Sequence, residues 1–165
     1  MAKVNPDQIG YAAELITALH FSRVVGPPYS RMLFRSVHLG DKYPTVDYLV
    51  DVLDTNNQSV GFFFLQVKGT ATASPTAPRL GIDVPLERFN RLVRLPAPAY
   101  IVAVDTVVEE AYLAAACRTR KSAVSSVTKA FPLSEASVKI GLYREVVAFW
   151  ATHKTLRRTS RFLDV

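Results

Sequence analysis

Val46-Asp47-Tyr48-Leu49-Val50-Asp51-Val52-Leu53-Asp54-Thr55-Asn56-Asn57-Gln58-Ser59-Val60-Gly61-Phe62-Phe63-Phe64-Leu65-Gln66-Val67-Lys68-Gly69 is the stretch that decides the fold. Both ends are rich in β-branched and aromatic residues. Between them, Thr55-Asn56-Asn57-Gln58 offers asparagines that tolerate the left-handed backbone of a hairpin turn. A turn centred between Asn56 and Asn57 sets Asp47 opposite Gln66. Side chains alternate faces along a strand, so Lys68 shares the face of Gln66, and Asp51 shares that of Asp47. The other face carries Val46, Tyr48, Val50, Val52, Phe63, Leu65 and Val67, a set made for a core. A carboxylate, an amide oxygen and an ammonium thus converge at one end of an otherwise apolar hairpin.

Upstream, Asn5 caps and Pro6 occupies the first turn of a helix over 6–22, with Gln8 at capping-box spacing. Ile9, Ala12, Ala13, Ile16 and Leu19 form its apolar stripe. Residues 29–45 read ambiguously, with a strand open over Arg31–Leu39. Downstream, 71–78 reads as a loop, 80–84 as a short strand, and Pro85 as the start of a helix with Leu86, Phe89, Leu92 and Val93 facing inward. Ala99–Val104 and Ala111–Ala116 read as strands, the first apolar enough to be central. Val127–Leu133 reads as an edge strand and Leu142–Leu156 as a last helix, with Val146, Val147, Phe149 and Trp150 in the core. The alternation gives an α/β sandwich around one mixed sheet, a single domain over 1–165.

The bulk composition bounds the function. With 49% hydrophobic and 21% charged residues the chain has an ordinary globular balance, and its net charge of +6 favours polyanionic partners. One cysteine, Cys117, excludes an intrachain disulfide and reads as a buried small side chain after Ala114-Ala115-Ala116. The first 21 residues lack the pattern of a secretory signal, and no apolar run approaches a membrane span, so a cytoplasmic protein is expected. His20, His38 and His153 are too scattered for a zinc site.

The hairpin trio fits phosphodiester hydrolysis. That reaction needs charge neutralised on the phosphate and a water activated, and a divalent cation does both. Magnesium takes oxygen ligands and few protein groups. Asp47 offers an anionic oxygen and Gln66 a neutral one, while Lys68 can serve the attacking water or the developing charge. An Asp–Lys pair across a sheet is also commonplace without any catalytic role.

The pattern Val46-Asp47, a hairpin, then Leu65-Gln66-Val67-Lys68-Gly69-Thr70 resembles the PD-(D/E)XK nuclease superfamily in its QxK variant. Within it, the chain is similar to the bacterial domain-of-unknown-function 4365 family. The similarity runs from about Ile9 to Ala116 and includes Leu95-Pro96-Ala97-Pro98-Ala99-Tyr100 leading into a central strand. It implies a restriction-endonuclease-like mixed β-sheet flanked by helices, a Mg2+ or Mn2+ ion, and DNA as substrate. Its site residues fall on Glu14 of the first helix, Asp47, Gln66 and Lys68, with Asp47, Gln66 and Glu14 toward the metal. Gln66 departs from the more usual acidic residue and leaves one negative charge fewer.

The remaining charged residues divide between structural and functional readings. Asp51 reads as an ion-pair partner, as a ligand for a second ion, or as a replacement for Glu14. Asp83 and Glu87 read as structural at a helix start, and Asp105, Glu109 and Glu110 as a solvated turn. Arg31, Arg35, His38 and Lys42 lie in a segment that reads as a substrate-contacting flap or an ordinary surface strand. The C-terminal third is basic, and Arg118, Arg120, Arg157 and Arg158 are its best candidates for nucleic-acid phosphates. The expected function is a metal-dependent endonuclease acting on DNA, of a defence system or mobile element. A homodimer or partner subunit stays open. The alternative is an inactive module of the same fold that binds nucleic acid or a protein.

Overall fold

The Asn5 side-chain oxygen accepts the Asp7 N–H at 3.0 Å, so α1 (Pro6–Ser22) begins where the capping signal lies. This computed structural model describes residues 5–40, 43–74 and 76–153. After α1 come β1 (Phe34–His38), β2 (Tyr48–Leu53), β3 (Ser59–Thr70), β4 (Arg79–Val84), α2 (Leu86–Val93), β5 (Ala99–Asp105), β6 (Glu110–Ala115), β7 (Val124–Thr128) and α3 (Ala136–His153).

The main sheet is mixed, in the order β1-β2-β3-β5-β6. The first three strands form an antiparallel meander, and β5 and β6 are antiparallel. Strands β3 and β5 run parallel, which requires a crossover, and the segment containing β4 and α2 supplies it. Strands β4 and β7 pair separately as a two-stranded antiparallel ribbon. Helices α1 and α3 pack on the face carrying Tyr48, Val50, Phe63, Leu65 and Val102. Helix α2 and the β4–β7 ribbon pack on the other, against Ala99, Ile101 and Ala103. All seven residues of β5 are buried because both faces of the strand are covered.

The central register is the expected one, reached by a different route. Tyr48 lies opposite Leu65 and Val50 opposite Phe63. The turn, however, closes over three residues: the Asp54 N–H donates to Gln58 O at 2.9 Å, and Asn57 takes a φ of 59°. That places Leu53 opposite Ser59, one residue off. A bulge between this pair and Val52–Gly61 restores the register, so the two offsets cancel.

Several expectations are corrected. Val46 packs in the second cluster, because its segment turns (Val46 N–H to Tyr43 O, 3.2 Å) before β2 begins. The Val127–Leu133 stretch is not one edge strand. It leaves β7 at Thr128, turns, and then lies along β6, where Leu113 N–H donates to Phe131 O and Leu133 N–H to Ala111 O. Helix α3 starts at Ala136, before the apolar stripe that marks it in the sequence. Phe149 is half-exposed and stacks on His153 at 4.0 Å, whereas Trp150 joins the core and donates to Phe62 O. Cys117 is exposed, since β6 ends at Ala115. Asp105 is buried at the end of β5, and its Oδ1 accepts the Val107 N–H.

Helix α1 meets β3 at Gly69. A Cβ there would sit 2.8 Å from both Ala13 Cβ and Ile9 O. One of these atoms is backbone, so a small rotation of a side chain cannot relieve the clash. Gly69→Ala should therefore destabilise the fold by about 1–3 kcal/mol through overpacking, measured by urea unfolding. An unchanged midpoint would contradict so close an approach of α1.

Candidate active site

Asp47 lies just before β2 and grips β3 on both sides of Gln66. Its own N–H donates to Leu65 O at 2.8 Å, and its Oδ2 accepts the Val67 N–H. The carboxylate is thereby fixed beside Gln66 by main-chain hydrogen bonds rather than by a loop. Two residues along the same face, Lys68 follows.

Glu14 arrives from α1. The Tyr48 hydroxyl donates to Glu14 O at 3.0 Å and ties that turn of the helix to β2. Glu14 Oε2 lies 3.1 Å from His38 Nε2, and the His38 ring packs against Tyr48 with centroids 5.1 Å apart. Asp47, Gln66, Lys68 and Glu14, from three different parts of the chain, line one cavity of about 300 Å³. His38, Tyr43 and Arg88 complete its polar wall. A larger cavity of about 620 Å³ between β6 and α3 is lined mainly by small and apolar side chains, with Glu135 and Glu145 at its edge, and brings no cation and carboxylate together.

The electrostatics of the small cavity are uneven. Burial pushes the Asp47 carboxyl up from its ordinary value of 3.8, against the Val67 N–H and the positive charges of Lys68, His38 and Arg88, which pull it down. Burial, helped by Glu14 and Asp47, pushes the Tyr48 phenol up to about 12, so it remains a hydrogen-bond donor through the physiological range. Gln66 is 2% exposed, and its Oε1 accepts no hydrogen bond. A buried carbonyl oxygen without a partner loses its water without replacement, a cost of about 1–3 kcal/mol.

These residues fit a hard divalent cation. Asp47, Glu14 and Gln66 line one cavity, the Gln66 amide oxygen is buried without a partner, and magnesium-type sites use few protein oxygens. Among the described residues no three His, Cys, Asp or Glu are grouped so as to hold a metal ion by themselves.

The other candidates lie elsewhere. Asp51 pairs with Arg35 at 2.8 Å and accepts from Ser59 Oγ, so it is occupied away from the cavity. The Arg31 guanidinium donates to Leu53 O and Asp54 O and lies over the rings of Tyr29 and Tyr143. Both arginines of the ambiguous segment are therefore structural, and of the described members of that group only His38 enters the cavity; Lys42 lies outside the described residues. Arg118 and Arg120 lie in the loop after β6, and Arg157 and Arg158 fall outside the described residues. Arg88 was missed by sequence reasoning. It borders the cavity because α2 covers the face on which Gln66 and Lys68 project, which no sequence pattern marks. No family model matches this chain, and neither the curated proteins nor the solved structures offer a match.

The raised pKa of Asp47 has a thermodynamic sign. A carboxyl raised in the folded state favours folding most below its ordinary value, and that contribution is lost as pH rises through the raised value. Asparagine mimics the protonated form and keeps an oxygen for the Val67 N–H. In chelator at pH 7, Asp47→Asn should melt higher than the wild type, with the gap closing as pH falls toward 4. A lower melting temperature at pH 7 would contradict the burial account.

Proposed function

We propose that this chain is a divalent-metal-dependent endonuclease of the PD-(D/E)XK type, in its QxK form, that hydrolyses phosphodiester bonds in DNA. The observation that carries the reading is the meeting of Asp47, Gln66 and Lys68 in one cavity, with the Gln66 carbonyl oxygen buried there and unpartnered. The mixed sheet with a helical glutamate at its site end agrees with what the sequence resemblance implies. Mg2+ or Mn2+, held by Asp47 and Gln66 with help from Glu14, would supply charge neutralisation at the phosphate and a more acidic water.

The protein's own groups divide the remaining work. Asp47, pinned by Val67, sets the position of the anionic oxygen. The Lys68 ammonium orients the attacking water and takes up negative charge as it develops. Arg88 and His38 border the cavity as cations toward the non-bridging phosphate oxygens, His38 when protonated. Tyr48 holds the Glu14 turn in place. Among the described residues no helix is long and apolar enough to cross a membrane. A cytoplasmic setting, one domain over the whole chain, a role in a defence system or mobile element, and a homodimer or partner subunit complete the proposal.

A second reading is an inactive module of the same fold that binds nucleic acid or a protein. It is favoured by the glutamine at position 66 and by the engagement of Glu14 with His38, which leave the cavity with little negative charge.

Cleavage of plasmid and single-stranded DNA in Mg2+ or Mn2+ tests the first reading. The wild type should cut, and Asp47→Ala and Lys68→Ala should each lose about 100-fold or more while remaining folded. Folded variants that cut at the wild-type rate would refute the assignment. DNA binding without cleavage by the wild type would favour the second reading.

A further inference from the structure

Charge is divided between the two layers that cover the sheet. The segments 79–94 and 117–129, which hold β4, α2, β7 and the loop before β7, carry four Lys or Arg each, against two acids, Asp83 and Glu87. Among the described residues the two helices of the opposite layer are nearly neutral. Helix α1 has no Lys or Arg, and α3 has only Arg144 and a buried Lys139. Gln66 and Lys68 project toward the basic layer, since the alternate residues Leu65 and Val67 pack beneath α1 and α3.

Within the basic layer the cations are held in place. Asn90 of α2 clamps the loop after β6: its Oδ1 accepts the Arg120 N–H at 2.9 Å, and its Nδ2 donates to Arg120 O at 3.2 Å. The Arg120 guanidinium then lies over the Phe89 ring at 5.6 Å, next in sequence to the cavity residue Arg88. Some of the layer's charges are internally engaged: Arg91 pairs with Glu87, Arg79 bonds Ser126, and Lys129 bonds Ser74 O. Arg88, Arg94, Arg118, Arg120 and Lys121 are exposed.

We propose that α2 and the clamped 117–121 loop form a track for a nucleic-acid backbone that leads through Arg88 into the Asp47–Lys68 cavity. An α-helix of this length spans roughly 12 Å, about the rise of three to four nucleotides of one strand. Phosphates over Arg120 would then reach the cavity within a few nucleotides. The track engages phosphate, so it confers affinity and orientation without sequence preference. This inference rests on the nuclease reading for its direction, but it is tested without cleavage.

Binding of a labelled DNA duplex and a single strand is measured by fluorescence anisotropy in EDTA across a NaCl series. Arg118→Gln/Lys121→Gln, neither of which removes a side chain from the core, should weaken binding about tenfold near 0.1 M salt. The slope of log K against log salt should fall by about one for each phosphate that the variant no longer neutralises. Arg120→Gln should act in the same direction. The control pair Arg23→Gln/Arg144→Gln, with the same charge change beside α1 and on α3, should change affinity less than threefold. Equal losses in the two double variants would overturn the track and point to net charge alone. Absence of DNA binding, with these residues instead supporting adhesion to phosphatidylserine vesicles, would also overturn it. Loss of cleavage in Asp47→Ala bears on the cavity, whereas EDTA binding bears on the track, so the two can fail separately.

Discussion

The grip of Asp47 on the β3 main chain is the constraint from which the rest of the site follows. By bonding Leu65 O through its N–H and the Val67 N–H through its carboxylate, Asp47 brackets Gln66 between two fixed points. The carboxylate and the amide are then held on one face by strand geometry alone. A buried acid normally relaxes by taking a proton or finding a full partner; here burial raises its pKa while one backbone donor and three nearby cations oppose the rise. Gln66 likewise keeps a buried oxygen without a partner. Two groups at facing positions thus carry a cost of burial that the well-packed opposite face of the hairpin does not.

The remaining site residues depend on packing between layers. Glu14 is placed because α1 approaches β3 closely at Gly69 and because Tyr48 bonds the helix backbone at Glu14 itself. Arg88 is placed because Phe89 and Leu92 anchor α2 on the sheet face opposite α1. The cavity therefore lies where both layers meet the site end of β3, with Glu14 and His38 paired on the α1 side and Asp47 beside Lys68 and Arg88 on the α2 side.

Much of this arrangement is legible in the chain itself. Alternation along 46–69 gives the face shared by Gln66 and Lys68, and the Asn5-Pro6 cap gives the start of α1. The hairpin register is also legible, though through a two-residue turn that does not exist. A three-residue turn and a bulge produce the same pairing, and no local signal separates the two routes. What could not be read was set by tertiary packing. The 127–133 run divides between two partners because β4 takes its first part and β6 its second. Cys117 is exposed and Asp105 buried because β6 ends sooner, and the burial of β5 extends further, than local hydrophobicity indicates. Arg88 and His38 belong to the cavity through the docking of α2 and the proximity of His38 to Glu14, neither of which leaves a periodic trace.

The central claim is that Asp47 and the unpartnered oxygen of Gln66 bind one divalent cation. Titration with Mn2+, followed by electron paramagnetic resonance of the free ion, addresses it directly. One site is expected in the wild type, abolished in Asp47→Ala, weakened in Gln66→Leu and strengthened in Gln66→Glu, which restores a negative charge. A wild type that binds no Mn2+, or binding that is the same in folded Asp47→Ala and Gln66→Leu, would contradict it.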